Sequence, residues 1–151
     1  MYQKVLVPLG GSKESEMVLN SIRGLLGQET EVVLLKVVPP MAGQTIGQIT
    51  LTGSQREDAE RSKVLDYLRG VVHRVGGEAG RWRCEAVVSR SVAEGITSYA
   101  LREGVDLIAM YTHDRKGLAR LIRGSIAAKV QRQVPIEVRV FRPRELAAVQ
   151  S

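Results

Sequence analysis

The stretch YTHDRKGLARLIRGS, Tyr111 to Ser125, puts small, cationic and carboxylate groups where an apolar run gives way to an amphipathic one. Its far end, Gly124-Ser125-Ile126, has the chemistry of an anion site. A glycine lets the backbone approach a phosphate closely, and a hydroxyl beside free helix amides completes the binding surface. Arg115, Lys116, Arg120 and Arg123 flank it with positive charge. The near end opposes this. Tyr111 adds bulk, and the carboxylate of Asp114 repels a phosphate charge ~4 Å away by about 1 kcal/mol in water-like surroundings, and by several kcal/mol in a partly dehydrated cleft. Two alternatives stand side by side: Asp114 points into a cleft or pairs with an arginine, and Ser125 holds an anion or caps a helix. His113 is the one candidate base in the segment, although a lone loop histidine more often packs or hydrogen-bonds. No residue is assigned a catalytic or metal-binding role.

The elements that position this segment are legible from periodicity. Lys4 to Pro8 is a short β-branched run closed by Pro8 and the turn Gly10-Gly11-Ser12. Ser12 is a good helix cap, with Ser15 a partial capping-box partner, and Val18, Ile22, Leu25 and Leu26 recur at helical spacing as far as Gly27. Glu31 to Val38 is nearly all apolar and is stopped by Pro39-Pro40, as expected of a parallel strand covered on both faces. Met41 to Ser54 has no period and reads as a mobile loop. An amphipathic helix then runs from Gln55 to Val75 and ends at Gly76-Gly77. A third strand spans Arg83 to Val88, Ser91 caps a helix that reaches Gly104, and Val105 to Met110 is a fourth strand. A helix from about Ser125 to Gln133 and a last strand, Ile136 to Phe141, complete the alternation.

Strands alternating with helices across short connections predict an α/β fold: an open five-stranded parallel sheet, order 3-2-1-4-5, with helices on both faces. Ligands in such sheets sit beyond the carboxyl ends of the strands, where strand order reverses. That places the Gly10-Gly11-Ser12 turn and the segment from Tyr111 at one crevice.

The bulk figures agree with one domain. The chain has 151 residues, 44% hydrophobic and 25% charged, which is enough for a proper core and is ordinary for a soluble protein. Residues 1–143 are read as the domain and 144–151 as a short tail. The formal net charge of +6 brings acidic partners into consideration. Aromatics are only 4% and the basic residues are scattered, so nucleic-acid binding is not expected. The first residues enter a strand directly and no run approaches ~18 apolar residues, so the expectation is a cytoplasmic protein with no membrane contact. Cys84 is the single cysteine and reads as a small packed side chain.

With these residues in place, the chain resembles the universal stress protein family over essentially its whole length. KVLVPLGGSKESEMVL is similar to the family's first strand, turn and helix, LLKVVPP to its second strand, and DLIAMYTHDRKGLARLIRGSIAAKV with PIEVRVFRP to its last third. The resemblance implies a fold of the adenine-nucleotide α-hydrolase type. It also implies a nucleotide pattern, G-x2-G-x9-G followed by Ser or Thr, whose leading glycines fall on Tyr111 and Asp114 and whose closing pair falls on Gly124 and Ser125. Only the closing pair matches. The aspartate that helps hold the nucleoside in ATP-binding members is replaced by Gly10. The candidate nucleotide-binding set is therefore Pro8, Gly10, Gly11, Ser12 and Val38, with Tyr111, His113, Asp114, Arg115, Gly117, Gly124, Ser125 and Ile126.

The resemblance further implies a homodimer in which the last strand pairs with its copy. Ile136, Val138 and Val140 alternate with Glu137 and Arg139 up to Phe141, so antiparallel pairing sets Glu137 against the partner's cation at the Arg139 position. The same charges are also a device for keeping an edge strand unpaired. The expected function is a regulatory or stress-response module, not an enzyme, whose cleft binds ATP weakly or has lost it. No cofactor is assigned, although ATP or another adenine nucleotide fits the cleft type. The alternatives are an ATP-binding switch or slow ATP hydrolase that uses Gly124, Ser125 and the flanking arginines, or a site for a different anionic ligand such as a cyclic nucleotide.

Overall fold

Two apolar faces on each central strand require two layers of helices, and the computed structural model has them. It describes residues 1–78, 80–112 and 125–142, without the side chain of Glu14. In chain order the elements are β1 (Lys4–Pro8), α1 (Lys13–Ser21), a 3₁₀ turn (Arg23–Leu25), β2 (Glu31–Val38), β3 (Gln44–Ile46), β4 (Ile49–Leu51), α2 (Gly53–Val75), β5 (Trp82–Val88), α3 (Val92–Arg102), β6 (Leu107–Tyr111), α4 (Ile126–Gln133) and β7 (Glu137–Phe141). The main sheet has the order β5-β2-β1-β6-β7 with every pairing parallel. Counting only these five strands along the chain, that is the expected 3-2-1-4-5.

Strand alternation divides the core. Val5, Val7, Val32 and Leu34 face α1 and α2, where Leu19, Ile22, Leu68 and Val71 are fully buried against them. Leu6, Val33, Leu35 and Ile108 face the other way, onto Ile96 and Ala100 of α3 and Val130 of α4. β1 and β2 are buried on both faces because they are central, which is why their sequences are continuous apolar runs rather than alternating ones. Register is pinned at the amino ends. The Asp106 carboxylate accepts the backbone N–H groups of Gln3 at 2.8 Å and Lys4 at 2.9 Å, tying the start of β1 to the approach to β6. β6 begins at Leu107 and not at Val105 as its apolar run suggests; the Val105 N–H instead donates to the Ala100 carbonyl of α3 at 3.1 Å.

The helix ends follow local chemistry. Ser12, Ser91 and Ser125 cap α1, α3 and α4, each side chain accepting a backbone N–H three residues on. α2 starts at Gly53, two residues before the apolar period, because Thr52 and Gln55 form a reciprocal capping box. The stretch expected to be an aperiodic loop, Met41 to Ser54, instead contains the β3–β4 hairpin. Its turn includes Gly47 at φ 64°, Ile46 lies opposite Ile49, and Thr45 is 3.1 Å from Thr50. Two three-residue strands are too short to show alternation in the sequence. Cys84 is half-buried against the α1/α2 core, and that burial pushes its thiol upward.

Candidate functional site

The cleft is assembled where β1 stops. Leu9 donates its N–H to the Leu35 carbonyl at 2.9 Å, so the chain stays in the sheet one residue past Pro8 before turning away. Gly11 makes the turn at φ 95°, a conformation that side chains rarely adopt, and a Cβ there would lie 3.3 Å from the Lys36 ammonium. Ser12 then starts α1. Its oxygen accepts the Ser15 N–H at 3.1 Å, and the Ser15 hydroxyl donates to the Ser12 carbonyl at 2.8 Å. Gly10 differs from its neighbour: it has no positive φ, and a Cβ added there meets nothing within 4 Å. Nothing in the backbone requires a glycine at that position.

Opposite this turn, β2 contributes Leu35 and Val37, β6 contributes Met110 and Tyr111, the first two turns of α3 contribute Val92 and Ile96, and the first turn of α4 contributes Ile126. α3 approaches β2 closely because Gly95 leaves no side chain between them; a Cβ there would sit 2.8 Å from a Val37 methyl. β6 and β7 end level with each other, Tyr111 opposite Phe141, and Thr112 donates to the Phe141 carbonyl at 3.0 Å. The result is a cleft of about 200 Å³ at the carboxyl edge of the sheet, between the β1 and β6 ends. This is the switch point predicted for ligand binding.

Of the residues singled out from the sequence, Pro8, Gly10, Ser12, Tyr111 and Ile126 line this cleft, and Gly11 shapes its turn. Val38 does not line it. It is buried among the residues facing α1 and α2, while its neighbour Val37 points to the cleft. A one-residue step along a strand reverses the face, so Val37 and not Val38 lines the cleft. Ser125 caps α4, its oxygen accepting the Ala128 N–H at 3.1 Å, and so occupies the helix-start role. His113, Asp114, Arg115, Gly117 and Gly124 lie outside the described residues. The sequence reading missed Leu9, Ser15, Leu35, Val92, Ile96 and Met110; the usable signal for Leu35 and Met110 was strand parity counted from the terminating residues. Among the described residues lining the cleft, none carries a charge.

At the sheet edge, Glu137 and Arg139 of β7 already pair with each other at 3.2 Å, and Tyr2 bonds to both. The Tyr2 phenol and Arg139 hold the Glu137 carboxyl below its usual range. Among the described residues, no group of three or more His, Cys, Asp or Glu could hold a metal ion, and no helix is long and apolar enough to cross a membrane.

A doubly wound parallel α/β sheet with its cleft at the β1/β6 switch point defines the class of protein. Within that class, the model of the universal stress protein family matches residues 1–142, and the chain belongs to that family. The fold is similar to universal stress protein UspA from Lactobacillus plantarum, with 23% identity and a TM-score of 0.69, covering 93% of this chain and 98% of that one. It is also similar to a universal stress protein family member from Burkholderia pseudomallei, with 26% identity, a TM-score of 0.62 and coverage of 93% and 96%. A third similar structure, a universal stress protein in complex with cAMP, has 18% identity, a TM-score of 0.65 and coverage of 93% and 97%. No curated protein sequence matches the chain.

Proposed function

We propose that this chain is a regulatory or stress-response module of the universal stress protein type, cytoplasmic and not an enzyme, whose cleft binds ATP weakly or has lost it. The observation that carries this reading is the pair Gly10 and Tyr111 at the cleft. Where the family resemblance puts a nucleoside-holding carboxylate there is open space, and where it puts bare backbone there is a phenol. Titration calorimetry with ATP and Mg²⁺ tests it. A dissociation constant of about 10 μM or tighter, roughly 7 kcal/mol of binding, refutes it.

The cAMP complex of one similar structure favours a second reading, in which the cleft serves a nucleotide lacking the γ-phosphate. Mass spectrometry of the native protein as purified would reveal such a passenger. An ATP switch or slow hydrolase built on Gly124 and Ser125 requires phosphate release that disappears in Ser125→Ala.

Dimerisation through β7 belongs to the same proposal. β7 is an edge strand with Glu137 and Arg139 exposed along it. Arg139→Glu would set carboxylates against each other across an antiparallel pair, and Glu137→Arg in the same chain would restore complementarity. Sedimentation velocity should therefore show a dimer, then a monomer, then a dimer.

A further inference from the structure

We propose that β5, the sheet edge opposite β7, is a second self-association surface, where another copy of this chain pairs antiparallel about a two-fold axis at Cys84. The ladder decides which backbone groups face outward. Val32 donates to the Arg81 carbonyl and Ser89 to the Val38 carbonyl, so the odd-numbered residues of β5 bond to β2. The N–H and C=O groups of Trp82, Cys84 and Ala86 therefore point away from the sheet. Part of this edge is already occupied. Trp82 donates its N–H to the Glu78 carbonyl at 3.1 Å, and the Arg61 guanidinium of α2 donates to the Ala86 carbonyl at 3.1 Å. Among the described residues, the Trp82 carbonyl, both backbone groups of Cys84 and the Ala86 N–H have no partner.

Those open groups complement one another across a two-fold axis. Each Cys84 N–H meets the partner's Cys84 carbonyl, and each Ala86 N–H meets the partner's Trp82 carbonyl. Charge selects the same register. Arg83 and Glu85 share the α3 face of β5 and pair with each other at 3.2 Å. The axis at Cys84 sets each Arg83 opposite the partner's Glu85, in non-hydrogen-bonded positions with Cα atoms about 4.5 Å apart, where opposite charges attract. Moving the axis by one residue, to Arg83 or Glu85, sets like charges against each other. Stacking β5 in parallel on β7 of another copy brings this pair beside valines, because Val138 and Val140 lie on the α3 face and Glu137 and Arg139 project from the other. Arg61 keeps the junction weak by withholding the Ala86 carbonyl at each end, as charged side chains blunt other sheet edges.

The test is sedimentation velocity on the full-length chain carrying Arg139→Glu, which removes β7 from the comparison. At about 10 μM this chain should be a monomer, and it should self-associate with a dissociation constant of about 0.1–1 mM. Arg61→Met keeps the aliphatic stem and deletes the donor, so association should tighten at least about 5-fold. Glu85→Arg should weaken it at least about 10-fold, and Arg83→Glu added to Glu85→Arg should restore it. Hydrogen exchange of the Cys84 and Ala86 amides should slow at least about 5-fold between the dilute and the associated chain. Arg61→Met that stays monomeric to about 1 mM, or associates no more tightly than its parent, overturns the inference. So does a charge exchange at residues 83 and 85 that fails to restore association, or exchange at Cys84 and Ala86 that is independent of concentration. The β7 dimer fails separately, if Arg139→Glu alone leaves the wild-type species unchanged.

Discussion

Gly10 and Gly11 are adjacent glycines with opposite structural roles, and substituting each in turn tests the account of the cleft. At Gly10 a Cβ meets nothing within 4 Å and the backbone is not left-handed. Gly10→Asp should therefore leave stability within about 0.5 kcal/mol, or raise it by up to about 1 kcal/mol through a less flexible unfolded chain. The new carboxylate stands where the family resemblance puts the nucleoside-holding acid. A hydrogen bond to a charged acceptor contributes about 1.5–3 kcal/mol, so adenosine affinity should rise roughly 10- to 150-fold over the wild-type chain. At Gly11 the outcome reverses. With φ at 95° and the Lys36 ammonium 3.3 Å from the added carbon, Gly11→Ala should cost about 1–2 kcal/mol and shift the start of α1. Calorimetry with adenosine and urea unfolding of the three chains measure both quantities. A folded Gly10→Asp variant that binds adenosine no better than wild type would refute the idea that the missing carboxylate is what disables the site. Equal stabilities for the Gly11→Ala and wild-type chains would refute the description of the turn.

Three further outcomes are expected. Gly95→Ala adds a carbon 2.8 Å from one Val37 methyl and 3.2 Å from the Ser89 Cβ, and the overpacking, about 1–3 kcal/mol, should outweigh the ~1 kcal/mol gain in helix propensity. Adding Val37→Ala should recover about 1 kcal/mol or more relative to the sum of the single changes, measured by urea midpoints. Burial pushes the Tyr99 phenol up to about 12, above its ordinary value near 10. The folded state thus holds the proton longer, and stability that is complete below pH ~10 is lost as pH rises towards ~12; Tyr99→Phe should flatten that part of the stability profile. Ser125→Ala should lower stability by about 1 kcal/mol through loss of the α4 cap, seen as a fall of a few degrees in Tm, and an unchanged melting temperature would contradict the capping role.

Particular residues show where sequence reasoning succeeded. Val32 to Leu35 form an unbroken apolar run because the strand is covered on both sides, and a run of that kind is visible without coordinates. Ser12 and Ser91 were legible as caps, and Ser125 as one of two alternatives, because a cap is local chemistry that involves a residue and the amide three positions on. The hairpin was missed for a corresponding reason. Ile46 and Ile49 are both exposed, so no burial pattern marks their strands, and only the cross-strand pairing defines them.

The order of residue types along the chain was thus enough to determine an alternating α/β fold, its strand order, the starts of α1 and α3 and its family, since each depends on periodicity, capping or a long linear match. The identity of the cleft walls was decided only in three dimensions. Val37 and not Val38 faces the site because strand parity is set by pairing with β1 and β5. Gly10 is dispensable to its turn while Gly11 is not, because one φ is left-handed and the other is free of that constraint. The apolar character of the site arises from five separate segments, and their convergence is a product of packing that no local stretch of sequence carries.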